Sequence, residues 1–140
     1  MSYFPDLSEY AYSPADERLL NIGWLGRGKE FETGDIDEDI WDELVRLASE
    51  PVNVMRGLHD CEFCDVESPV RLPSDYSAKG FVSLGTGEIR VKGQGDGYYA
   101  APTLLLHYIL SHNYKPPEVF IQAVRSLRRR RMTERPAPSV

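Results

Sequence analysis

Two periods of apolar and polar positions divide the chain into strands and helices. Glu88-Ile89-Arg90-Val91-Lys92 alternates charged and apolar residues, the pattern of a strand with one buried face. A second strand, Phe81 to Leu84, joins it at Gly85-Thr86-Gly87, and the run Gly93 to Gly97 turns the chain into Tyr98-Tyr99. Leu19 to Leu25 alternates weakly and is expected to enter the sheet, and Val52-Asn53-Val54 reads as a short strand. Helical spacing begins at Ile40, Trp41, Leu44, Leu47 and Ala48, with Asp35 as the predicted N-cap, Glu38 three residues on, and Pro51 as the stop. Leu104 to Leu110 is apolar on nearly all sides, as a central buried helix would be. Its first turn would hold Pro102, and Asn113 would cap it after His112. Pro116-Pro117-Glu118 opens a last helix that turns Phe120, Ala123, Val124 and Leu127 inward.

These elements predict an α+β fold: a small antiparallel sheet built from residues 81 to 99 with earlier strands added, covered by about three helices near 36–49, 103–112 and 117–128. Residues 1–127 would form a single domain. Residues 65–80, with Pro69 and Pro73, read as a long loop, and residues 3–12, aromatic and rich in turn formers, as an extended arm whose rings lie on the body.

Charge changes the picture at one end. The 140 residues carry a net −6, yet residues 125–140 hold six arginines against one glutamate, so the rest of the chain is strongly acidic. Residues 128–140 are expected to be a disordered basic tail, dispensable for folding. So acidic a body repels phosphate backbones, which excludes a general nucleic-acid surface except through that tail. Asp37, Glu38, Asp39, Asp42 and Glu43 read as a solvated helix face, with a surface for a basic protein partner as the sharper alternative. No signal-peptide pattern opens the chain and its longest apolar run is far too short for a bilayer, so a cytoplasmic protein is expected, with no membrane contact.

The chemistry concentrates in Arg56-Gly57-Leu58-His59-Asp60-Cys61-Glu62-Phe63-Cys64, which holds both cysteines and one of three histidines. In a reducing compartment a Cys-x2-Cys turn points to metal binding, because it aims two thiolates at one centre. His59 can add an imidazole from the same loop. Structural zinc takes four Cys/His ligands, so the fourth must come from elsewhere, and only His107 and His112 remain. His107, inside the apolar helix, needs a polar partner; His112, at the helix end, suits the dipole as a charged imidazole. The expected zinc ligands are therefore His59, Cys61, Cys64 and His107, joining the loop to the buried helix. Gly23 to Glu30 has the spacing of a phosphate-binding loop but places Glu30 where a magnesium-holding hydroxyl belongs, so it reads as a surface turn.

Tyr3-x-Pro5-Asp6-Leu7-Ser8-x-Tyr10, Asn21-Ile22-Gly23-Trp24-Leu25, Arg56-Gly57-x-His59-x-Cys61-x2-Cys64, Gly87-Glu88-Ile89-Arg90-Val91 and Tyr99-Ala100-Ala101-Pro102-x-Leu104-x2-His107-Tyr108 carry a resemblance to a family of short, uncharacterised bacterial proteins. It covers residues 3–124 and implies a bacterial origin and one domain, without a reaction or ligand.

The functional expectation is a small intracellular binding or adaptor protein with a structural zinc site, whose acidic surface meets a basic protein, as immunity proteins do. The alternative is a zinc-dependent hydrolase: if His107 stays off the metal, the His59/Cys61/Cys64 loop leaves a position for an activated water, with Asp60 or Glu62 as general base. A thiol oxidoreductase lacks the surrounding βαβ pattern.

Overall fold

A computed structural model describes residues 3–9, 19–52, 60–65, 69–93 and 97–133. The larger sheet is centred on β5 (Tyr98–Pro102), flanked on one side by β1 (Leu19–Asn21) in parallel and on the other by β4 (Glu88–Lys92) in antiparallel register. In β4 Ile89 and Val91 are buried and Lys92 is exposed, as the alternation implies, but Glu88 is buried as well, ion-paired with Arg90 at 2.9 Å. Ala100 and Ala101 make the middle of β5 thin enough to be covered completely. β2 (Val70–Pro73) and β3 (Phe81–Leu84) form a separate antiparallel pair. Three helices cover the sheets, α1 (Glu38–Ala48), α2 (Leu105–His112) and α3 (Glu118–Thr133), so the α+β single-domain expectation holds among the described residues.

Three details differ from the pattern reading. The larger sheet is mixed, because β1 runs parallel to β5. The strands on either side of Gly85-Thr86-Gly87 belong to different sheets, and that link is clasped instead by Thr103, whose Oγ1 accepts the Gly85 N–H and whose own N–H reaches the Gly87 carbonyl. The segment read as a long loop contains β2; prolines are tolerated there because each strand of a two-stranded sheet is an edge.

The N-terminal arm lies along β1. Leu7 N–H donates to the Asn21 carbonyl and Asn21 N–H to the Ser8 carbonyl, each at 2.7 Å, while Phe4 meets Trp24 edge to face. Tyr10 and Tyr12 lie outside the described residues. The helix ends also shift. Asp37, not Asp35, is the residue before α1, and no side-chain cap bond forms. Pro102 ends β5 and does not open α2. Asn113 closes α2 in the left-handed region at φ 55°, as its predicted capping role requires. Gly23 is fixed by both conformation and space: its φ is 74°, and a Cβ there would lie 2.5 Å from Leu105 Cδ1.

The largest correction concerns the arginines. Residues 128–133 are the last turns of α3, not the start of a tail, and they face the acids of α1. Arg125 pairs with Asp37 at 2.7 Å, Arg128 with Asp42 at 2.9 Å, and Arg131 with Glu43 at 2.6 Å, while Arg46 closes on Glu43 from its own helix at 2.6 Å. Glu43, read as solvated, has a side chain 0 % exposed. Burial pushes its carboxyl pKa up, but hydrogen bonds from Arg131 and Arg46 outweigh that and hold it below the usual carboxylate range. Without them an ionised carboxylate at this depth would cost several kcal/mol.

Replacing Arg131 with alanine should therefore destabilise the domain by about 1–3 kcal/mol in urea unfolding, because one charge-assisted partner of a buried acid is lost. A change within the error of the wild type would show that the clasp does not hold α3. Because the folded-state pKa of Glu43 is depressed, its contribution is fully present above the unfolded pKa and disappears as pH falls through the folded one. The wild type should thus lose stability in acid more steeply than Glu43→Gln, which pH-dependent melting would read.

Candidate metal centre

The loop that carries both cysteines is held at two points between them. Phe63 points into an aromatic cluster, its ring 5.5 Å from Phe31, 5.9 Å from Tyr108 and 5.4 Å from the His112 ring. Glu62 is tied to the turn that resembles a phosphate loop: its Oε1 accepts the Arg27 N–H and its carbonyl accepts Arg27 Nε, both at 3.1 Å. With Phe63 and Glu62 anchored in different directions, the intervening backbone can place both sulfurs on one side. Phe63 N–H then donates to Cys61 Sγ at 3.4 Å.

What the sulfurs meet is α2, expected to be buried throughout but sealed only over Leu105–Tyr108, with Leu110 and Ser111 exposed. Cys61 Sγ lies 3.3 Å from His112 Nε2, Cys64 Sγ lies 3.4 Å from His107 Nε2, and the sulfurs are 3.7 Å apart. All four atoms fall within 4.8 Å of one another. A tetrahedral centre with Zn–S about 2.3 Å and Zn–N about 2.0 Å separates two sulfurs by about 3.8 Å and a sulfur from a nitrogen by about 3.5 Å. The two sulfur–nitrogen contacts and the sulfur–sulfur spacing match those edges, the remaining pairs lie within 4.8 Å, and the sulfurs are far from the roughly 2.05 Å of a disulfide. His107 and His112 stand edge to face, with ring centroids 5.1 Å apart, so their donor nitrogens converge while their rings stay out of each other's way.

The electrostatics suit uncharged imidazole and a thiolate that needs help. Burial lowers the His107 pKa, and the charge of His112 lowers it further, so the ring is neutral near pH 7. Burial pushes the Cys61 thiol up, against the lowering effect of the Phe63 N–H. A divalent cation between the four donors would reverse that by stabilising the thiolates.

Of the ligands expected from sequence, the structure brings Cys61, Cys64 and His107 together; His59 lies outside the described residues. The residue that sequence reasoning misses is His112, whose place at the helix end has a sufficient explanation in the dipole. His107-x4-His112 was the available signal, since it fits the His-x3–5-His half of a Cys2His2 site, and Cys61-x2-Cys64 is the other half. The expected general bases are no part of the cluster: Glu62 holds Arg27, and Asp60 is exposed.

The model of a family described as a domain of unknown function (DUF7919) matches residues 2–125. No curated protein and no solved structure matches significantly. No described helix is long and apolar enough to cross a membrane.

Arg27→Ala should loosen the cysteine loop without unfolding the domain. The expected reading is amide exchange at Phe63 faster by about tenfold, the worth of one hydrogen bond in local opening energy. Unchanged exchange would mean that the Phe63 anchor alone holds the loop.

Proposed function

The chain belongs to the DUF7919 family, a domain of unknown function, and within it we propose that this protein is a small cytoplasmic binding or adaptor protein held together by one structural zinc ion. The observation that carries the zinc is the convergence of Cys61, Cys64, His107 and His112, two sulfurs and two imidazole nitrogens within 4.8 Å of one another. Thiolate and imidazole favour zinc over magnesium, calcium or manganese, which prefer oxygen. His59 is not needed to complete this set. Its place in the expected ligand list passes to His112.

Four protein donors also support a structural role over a hydrolytic one, because catalytic zinc keeps a position for water and here each corner has a side chain to fill it. Zinc would join the cysteine loop to α2, and its binding energy would add directly to folding. The cytoplasmic assignment rests on the chemistry of the Cys61-x2-Cys64 pair, which a reducing compartment keeps as thiols able to hold a metal. A basic protein remains the proposed partner, on the strength of the net charge of −6. The acids of α1 are a poor docking face for it, since α3 already neutralises Asp37, Asp42 and Glu43.

Metal analysis of the purified full chain tests the reading. One zinc per chain is expected; His112→Ala should lose it and melt lower, whereas His59→Ala should keep it. Retention of zinc by His112→Ala together with its loss in His59→Ala would restore the loop-based ligand set and open the hydrolytic reading. A wild type without metal would leave only thiol–imidazole hydrogen bonds at the cluster.

A further inference from the structure

On the basis of the zinc reading above, we infer that the site is peroxide-sensitive: Cys64 is the sulfur attacked first, Cys61 resolves it, and the resulting disulfide expels the metal. The two sulfurs are not equivalent. Cys61 is buried, and its Sγ accepts the Phe63 N–H, a bond that withdraws thiolate charge and lowers nucleophilicity. Cys64 is partly exposed, and among the described residues no backbone N–H donates to its Sγ. A small oxidant arriving from solvent therefore meets the more reactive sulfur first. The resolving sulfur is already 3.7 Å away, so a disulfide needs a closure of less than about 2 Å.

The oxidant is hydrogen peroxide. The Cys64 thiolate attacks one peroxide oxygen, the O–O bond breaks, and hydroxide leaves with the electron pair, producing a sulfenic acid. The Cys61 thiolate then attacks the Cys64 sulfur; the S–S bond forms, the S–O bond breaks, and a second hydroxide departs. The two sulfurs lose two electrons, peroxide gains them, and two solvent protons convert both hydroxides to water. A disulfide offers zinc no thiolate, so the ion is left with His107 and His112, half of a structural ligand set. The site would thus link the redox state of its surroundings to the attachment of the cysteine loop to α2.

The test treats the reduced, zinc-loaded full chain with hydrogen peroxide and follows zinc with a chromogenic chelator and intact mass in parallel. Zinc release in step with the loss of two hydrogens, reversed by dithiothreitol and added zinc, is expected. In Cys61→His and Cys64→His, which keep four donor side chains, dimedone should trap the sulfenic acid of Cys64 about tenfold faster than that of Cys61. Zinc retained under peroxide with both thiols intact overturns the inference while leaving the zinc reading standing, and so does equal dimedone labelling of the two variants. A reduced wild type that binds no zinc fails the zinc reading itself and removes this inference with it.

Discussion

A buried imidazole, His107, on the sealed first half of a helix whose later residues Leu110 and Ser111 are exposed, is the constraint around which the rest is arranged. His107 is 6 % exposed and its neighbours Leu104, Leu105, Leu106 and Tyr108 are fully buried, so its polar atoms must be answered from within the protein. Cys64 answers His107 and Cys61 answers His112. Bringing those sulfurs to α2 requires the cysteine loop to be fastened at Glu62 and Phe63. It also requires α2 to end immediately after His112, which Asn113 achieves by entering the left-handed region. Gly23 packs against the same helix: its φ of 74° strains any side chain, and a Cβ there would meet Leu105 Cδ1 at 2.5 Å, so Leu105 would have to turn aside.

A second, electrostatic fastening joins α1 to α3. The acids of α1 and the arginines of α3 give the chain its lopsided charge distribution in sequence, yet in space they cancel along a shared seam. Its outer pairs are exposed enough to contribute little each. The inner one differs, because Glu43 is fully buried and receives two guanidinium groups. Charge that looks like a surface for a partner is therefore used largely in folding.

The strands and helices were legible wherever burial is one-sided or complete. β4 could be read from strict alternation, α1 and α3 from helical spacing, and α2 from its lack of any polar face. What escaped were features that depend on pairing across the fold. β2 follows Pro69 and ends on Pro73, so its four residues read as a loop until β3 pairs with them. The continuation of α3 to Thr133 has no apolar face and exists through Arg128 and Arg131 meeting acids more than 80 residues away. At the candidate site the sulfur half was visible in Cys61-x2-Cys64. Its imidazole half was seen only at His107, because a histidine at a helix end has a sufficient local explanation in the dipole. Membership of an uncharacterised family was also legible, from motifs spread along nearly the whole chain.

X-ray absorption at the zinc edge of the purified, reduced protein tests the central claim most directly. Two sulfur scatterers near ~2.3 Å and two imidazole nitrogens near ~2.0 Å, with no oxygen, are the predicted shell. A shell with one imidazole replaced by an oxygen scatterer, or a protein with no zinc to measure, would contradict a closed site built by Cys61, Cys64, His107 and His112.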